Sequence, residues 1–264
     1  MTDIMLNDGR AMPALGMGTY QIPDAHAAGV VREGLDAGFR LVDTAALYHN
    51  ERGVGEGARG LNVWMTTKLW NDRHDDAEAA LDESLALLGL DAVDLYLIHW
   101  PSPAQARFVH AWKSLVALRE AGKAKSIGVS NFLARHLERV IDHTGVVPAV
   151  NQIECHPYFQ QVELRSWMEE SGVVCQSWSP LGQGEVLRDP VIARIAAKHA
   201  RSPAQVVIAW HLASGLSVIP KAGSPGHLRE NAAAAGLVLD ADDMAAIAAL
   251  DREDGRIGPD PMTF

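Results

Sequence analysis

The chain is poor in cysteine, in positive charge and in long apolar runs, and each shortage excludes something. Only Cys155 and Cys175 occur among 264 residues. Both lie in apolar, strand-like stretches, so two buried thiols are expected rather than a disulfide framework. Lys plus Arg is 23 against 33 Asp plus Glu, a net charge of −10 with His neutral, and no basic cluster offsets it. Nucleic acid and anionic membranes are therefore not expected partners, and any bound anion needs a local site. No apolar run approaches membrane-spanning length. The opening MTDIMLNDGRAMP is broken by Asp3, Asp8 and Arg10 and has neither the basic start nor the apolar stretch of a secretory leader. A cytoplasmic protein is the expectation. Closely spaced ligand motifs such as H-x-H are missing too, so no metal is expected.

What the chain does contain is repetition. Apolar, β-branched stretches recur at 14–20, 39–45, 62–69, 93–100, 124–131, 149–155, 173–180 and 216–222. Several lack polar alternation, as strands covered on both faces do. Helical patterns lie between them. Residues 75–88 place Ala77, Leu81, Leu85 and Leu88 on one stripe, with Gly89 as the stop; Leu137, Val140 and Ile141 face inward in 134–144. Residues 203–214 start at Ser202-Pro203 and carry Val207, Ile208, His211 and Leu212 inward, and a helix over 25–37 has Asp24 before it as a cap. Eight such units without a break in composition predict one α/β domain over 1–264, a (β/α)8 TIM barrel. The rival, an open doubly wound sheet, expects a third glycine after G-M-G in the first strand loop, and none is there. Asn7-Asp8-Gly9 between apolar segments predicts an N-terminal β-hairpin closing the bottom of the barrel. An extra C-terminal helix is expected over 240–250, followed by a loop-like tail.

In such a barrel, function gathers where strands end. Asp43, Lys68 and His99 fall at the ends of the second, third and fourth stretches, and Tyr48 in the loop after Asp43. Any one of them has an ordinary structural reading; four titratable groups on one rim do not. A tyrosine with a pKa of about 10 is a weak acid at neutral pH, but a nearby ammonium lowers it. Lys68 can serve if Asp43 holds it. Tyr48 then donates a proton to a developing alkoxide, and His99 hydrogen-bonds the same oxygen. That set suits carbonyl reduction.

The motifs resemble those of one family. LVDTAALYHNE, TTKLW and DLYLIHWP look like the tetrad segments of the aldo-keto reductases, and MPALGMGTYQ, IGVSNF, NQIECHPY, SWSPLGQG and IPK…EN follow in order from residue 12 to 231. The short loops after His99 and Gly184 most resemble the compact bacterial members similar to 2,5-diketo-D-gluconate reductases. The resemblance implies an NADPH-dependent reductase of small-molecule carbonyl compounds (aldehydes, ketones or keto-sugars), expected as a monomer, with Asp43, Tyr48, Lys68 and His99 as its catalytic tetrad. It implies that Ser130, Asn131 and Gln152 bind the nicotinamide carboxamide, that Trp178 stacks on the ring, and that Ser179, Leu181 and Gly182 contact the pyrophosphate. Glu230 and Asn231 would meet the adenine. Tyr20, Trp100 and Phe132 are candidates for the substrate walls, Tyr20 replacing a Trp common in the family.

The stretch IPKAGSPGHLREN, residues 219–231, resembles the segment that grips the adenosine 2′-phosphate. Lys221 is retained and Ser224 opens a helix, but His227 stands where relatives usually carry arginine. Arginine is permanently charged and bidentate, whereas histidine is mostly neutral near pH 7. The grip is expected to be weaker, giving NADPH use with appreciable NADH activity. Two other readings stay open at this point, a Schiff-base aldolase using Lys68 and a non-catalytic NAD(P)-binding barrel; a metal hydrolase using His99, Asp43 and His156 lacks a close-spaced ligand motif.

Overall fold

The computed structural model describes residues 2–264. A hairpin comes first: β1 (Asp3–Met5) pairs antiparallel with β2 (Ala11–Pro13) around a turn in which Gly9 takes φ +85°. Eight strands follow, each parallel to the next in chain order: β3 (Met17–Gly18), β4 (Leu41–Asp43), β5 (Trp64–Leu69), β6 (Val93–Ile98), β7 (Ala124–Ser130), β8 (Val150–Glu154), β9 (Val174–Trp178) and β10 (Ser217–Val218). Parallel bridges from Leu15 to Val218 and from Gly18 to Lys221 join the last strand to the first. The Gly16 N–H donates to Val218 O at 2.9 Å and the Val218 N–H to Ala14 O at 2.8 Å. The sheet is thereby closed into the expected barrel.

Around it run α1 (Asp24–Asp36), α2 (Glu51–Ala58), α3 (Ala77–Leu88), α4 (Phe108–Glu120), α5 (Ala134–Thr144) and α6 (Val162–Glu170). They continue with α7 (Pro190–His199), α8 (Pro203–Ala213), α9 (Pro225–Ala232) and α10 (Ala241–Ala248). Several ends follow the expected chemistry. Ser202 caps α8 in a reciprocal box with Gln205 behind Pro203, and Gly89 and Gly145 end α3 and α5 in the left-handed region. Asp24 does not cap α1. It is the first helical residue, and its Oδ1 accepts the Gly53 N–H of α2 at 2.8 Å. Helix α7 is an addition to the repeat. Asp189 and Pro190 start it, Asp189 accepting the Val191 N–H, and it packs on α8 and α10.

Strand alternation separates two apolar layers. Val42, Met65, Tyr96, Ile127 and Ile153 face the helices. Leu41, Trp64, Leu95, Leu97, Val150 and Ile219 fill the lower barrel interior, with Leu6 and Met12 of the hairpin packed among them as a floor. Above that floor the inward positions become polar.

Helix α2, ERGVGEGA, holds three glycines and has no helical signature in the sequence. Its neighbours explain it. A Cβ on Gly53 would lie 2.3 Å from Asp24 O and one on Gly55 2.1 Å from Leu88 O, so α2 is wedged against the backbones of α1 and α3. In an exposed helix, Gly→Ala is stabilising by about 0.5–1 kcal/mol. Gly55→Ala should instead destabilise, by roughly 1–3 kcal/mol, seen as a lower urea midpoint at unchanged m-value. A raised midpoint would show that the wedge is loose.

Candidate active site

The upper interior is organised around one lysine. Lys68, fully buried on β5, donates from Nζ to Asp43 Oδ1 at 2.6 Å and to Thr44 O at 2.8 Å. The other carboxylate oxygen, Oδ2, accepts Gln152 Nε2 at 2.7 Å. Gln152 Nε2 also donates to Gln176 Oε1 at 2.7 Å, and Gln176 Nε2 to Ser217 Oγ at 3.0 Å. A hydrogen-bonded chain therefore crosses the barrel from β4 to β10. It uses both amide hydrogens of Gln152 and leaves its carbonyl oxygen as the group available to a ligand. Burial raises the Asp43 carboxyl and lowers the Lys68 ammonium; each opposes the shift in the other. Glu51 lies buried nearby, accepting Thr67 Oγ1 at 2.6 Å and Ser84 Oγ at 3.2 Å, with its pKa raised by burial.

Tyr48 sits half-buried on a single 3-10 turn, residues 46–48, after β4. The Lys68 Nζ is 5.1 Å from its ring centroid, and the rings of Tyr20 and His99 are 5.1 and 5.8 Å away. The expected lowering of its pKa is not found. Burial, then the Asp43 carboxylate and Tyr20, hold the phenol well above its ordinary value. The phenol is thus protonated at neutral pH, as a proton donor must be. His99 follows β6, buried, its pKa well below the ordinary value through burial and the Lys68 charge. It is a neutral imidazole, and among the described residues its buried Nδ1 has no hydrogen-bond partner.

The remaining residues gather on the same rim with one exception. Ser130 Oγ donates to Gln152 O at 2.8 Å. Asn131, at φ +63°, donates from Nδ2 to His99 O and Ser130 Oγ, both at 3.0 Å, and its Oδ1 accepts Trp178 Nε1 at 2.8 Å. These bonds lock the Trp178 ring to the ends of β6 and β7. Ser179 and Gly182 take φ +48° and +54° in the turn that also holds the half-buried Leu181. Lys221 lies just past β10, exposed, and the Oγ of Ser224 caps α9 by accepting the His227 N–H at 3.4 Å. Pro225 and Gly226 complete the first turn, so the Gly226 N–H is one of the donors a helix start leaves open. Among the described residues Lys221 and Arg229 form no ion pair. His227 and Arg229 are exposed, Glu230 is half-buried with its O bonded to Gln205 Nε2, and Asn231 is buried. These open donors and the free Gln152 oxygen suit a dinucleotide phosphate and a carboxamide.

Tyr20 is exposed beside Tyr48, and Trp100 lies 6.4 Å, ring to ring, from Trp178. Phe132 is the exception. Its ring is fully buried, 5.5 Å from Phe108 and 5.9 Å from His136, in the layer beneath the helices. Its place at the rim is taken by residues not expected there: Trp70, edge-on to His99 at 5.0 Å, and Phe264, 4.6 Å from Trp100 and 6.2 Å from Trp70. His156 is buried against Glu154, its Nε2 3.0 Å from Oε1, and plays no part in the tetrad cluster. A cavity of about 400 Å³ opens at the opposite end of the barrel, lined by Arg10, Arg40, Trp64 and Asp94. Asp94 there is ion-paired with Arg10 and Lys125, and the cavity has no part in the cluster.

A model of the aldo/keto reductase family matches residues 13–252. The chain belongs to that family. It is 46% identical over 270 residues to the methylglyoxal reductase DkgA of Escherichia coli (strain K12), covering 100% of this chain and 98% of the relative. It is 45% identical over 269 residues to an aldo-keto reductase of Mycobacterium sp. (strain KMS), covering 99% and 97%. Among solved structures, a mutant of Gox0644 in complex with NADPH superposes with a TM-score of 0.98 at 53% identity, over 100% of this chain and 98% of that one.

In this aldo/keto reductase the contribution of the buried Asp43–Lys68 pair to the fold can be dissected. Lys68→Met leaves the Asp43 carboxylate buried without its cation, which should destabilise the fold by roughly 3–5 kcal/mol. Adding Asp43→Asn should recover much of that loss. Urea midpoints of the two variants test this; a double variant no more stable than Lys68→Met would show that the stranded carboxylate is not the cause.

Proposed function

We propose that this aldo/keto reductase reduces the carbonyl of a small aldehyde, ketone or keto-sugar to an alcohol, with NADPH as the hydride source and Tyr48 as the proton donor. The observation that carries this reading is the buried Asp43–Lys68 pair beside a protonated Tyr48 and a neutral His99. NADPH, when bound, supplies the hydride. The neutral imidazole of His99 donates a hydrogen bond to the substrate oxygen and orients it without adding charge. As negative charge develops on that oxygen, the Tyr48 hydroxyl gives up its proton, and the resulting phenolate is stabilised by the ammonium 5.1 Å from the ring. Asp43 keeps Lys68 charged in a buried place. Gln152, oriented by Asp43 and Gln176, would offer its carbonyl oxygen to the carboxamide, while Ser130 and Asn131 fix the rim around Trp178, on which the nicotinamide would stack. The turn at Ser179, Leu181 and Gly182 would hold the pyrophosphate, and Glu230 and Asn231 the adenine. Lys68, fully buried and bonded to two protein oxygens, is poorly placed to form a Schiff base.

The aromatic rim of Tyr20, Trp70, Trp100 and Phe264 favours a compact substrate. The name of the curated relatives makes an α-oxoaldehyde such as methylglyoxal the first to try. We place the enzyme in the cytoplasm as a monomer of one domain; its two free, buried thiols suit a reducing compartment. No helix is long and apolar enough to cross a membrane among the described residues.

Tyr48→Phe should lower kcat at least about a hundredfold while cofactor affinity, read by quenching of tryptophan fluorescence, stays close to that of the parent. Activity within about tenfold of the parent would remove Tyr48 as the principal acid. The exposed His227 should also leave the preference for NADPH over NADH, as a ratio of kcat/KM, below about a thousandfold. His227→Arg should widen it by restoring a bidentate, permanently charged phosphate ligand. A parent ratio above that limit, or an unchanged ratio in His227→Arg, would contradict this account.

A further inference from the structure

One buried carboxylate plays no part in the reaction described above. Glu154 ends β8, opposite Trp178 in the register with β9, and is 2% exposed. Its Oε1 accepts His156 Nε2 at 3.0 Å and the Ile257 N–H at 2.6 Å; its Oε2 accepts the Gly258 N–H at 2.8 Å. Two consecutive amides of the chain's last segment are thus held on one carboxylate. These bonds hold its pKa below the ordinary value despite burial. The segment fits closely there: a Cβ on Gly258 would lie 2.5 Å from Trp178 Cη2 and 2.9 Å from Glu154 Oε2.

What lies on either side gives the contact its meaning. Upstream, Arg252 and Arg256 lie over the rings of Tyr158 and Phe159 at 4.1 and 4.6 Å. Downstream, the hydrogen bonds of residues 259–264 all go to Asp260, within the segment itself. Among the described residues the bonds to Glu154 are therefore the last polar ties to the barrel before Phe264. Phe264 in turn reaches Trp100 and Trp70, and Trp70 stands edge-on to His99. Ile257 is itself 36% exposed; between the tie and Phe264 the one buried residue is Pro261, beside Phe132 and Leu133.

We propose that Glu154 is a positioning residue of the reductase: its carboxylate latches residues 257–258 to the rim and so sets the Phe264 wall of the substrate site. This rests on the carbonyl-reductase reading above. Charge-assisted hydrogen bonds are roughly twice as strong as neutral ones. Gln at position 154 keeps the size but presents one carbonyl oxygen where the carboxylate presents two.

The test compares Glu154→Gln, Gly258→Ala and Phe264→Ala, and the Glu154→Gln/Phe264→Ala pair, with one small and one aromatic aldehyde. Weakening the latch should raise KM roughly tenfold, the loss expected for a charge-assisted hydrogen bond, with kcat little changed. Phe264→Ala should shift KM alike, and the double variant should be no worse than either single one. Gly258→Ala disturbs the same tie from the tail side, leaving the barrel intact if Glu154→Gln folds poorly. A role in stability alone would lower Tm without separating KM from kcat, and effects that multiply in the double variant would overturn the proposal. Amide hydrogen exchange reads the latch without turnover: Ile257 and Gly258 should be protected in the parent and exchange faster in Glu154→Gln. Unchanged protection overturns the latch. A parent that exchanges as expected but reduces no carbonyl overturns the functional reading instead.

Discussion

The ion pair between Asp43 and Lys68 is the contact on which the rest of the site depends. Neither group would stay charged at that depth alone; desolvation pushes each toward neutrality. Together, with Thr44 O and Gln152 completing their hydrogen bonds, they place a full positive charge beneath the Tyr48 ring. The low-dielectric floor built by Leu6, Met12 and the lower strand residues strengthens that charge's effect on anything forming above it. His99 feels the same charge and the same burial, which keep it neutral. Burial, helped by the Lys68 charge, thus sets the protonation state of His99.

Much of this was legible in the sequence because it depends on period and position. Alternating apolar stretches and capped helices specify a barrel, and a barrel collects strand ends on one rim, so Asp43, Lys68 and His99 converge. What was not legible depends on three-dimensional approach. Helix α2 is hidden because glycine disfavours helix everywhere except where neighbouring backbones leave no room for a Cβ, and only the fold reveals Leu88 O beside Gly55. Gln176 gave no signal because a lone polar residue in a strand does not declare which way it points. Phe132 was misplaced by the same ambiguity: it follows two rim residues, yet its ring turns under α5 toward Phe108 and His136. Phe264 lies in a stretch with no periodicity at all. Helix α7 did carry a usable sign, the Asp189-Pro190 pair at its start.

The pKa of Tyr48 shows a different kind of limit. Residue identity alone suggested a phenol made acidic by lysine. In the folded site that acidity is suppressed by burial and by Asp43. In the proposed reaction the ammonium would act when a phenolate forms, and a difference in interaction between those two states is what accelerates a reaction.

The seam of the barrel has a consequence in time. Strands β3 and β10 are two residues each, and they meet only because residues near 16 pair with residues near 218. That closes a long loop, and such contacts form late. During synthesis the segments bearing Asp43, Lys68 and His99 emerge well before the strand that seals the cylinder. Lys221 and the start of α9 come directly after that strand. An unfinished chain therefore holds Asp43, Lys68 and His99 but lacks the closed rim that Lys221 and the start of α9 complete.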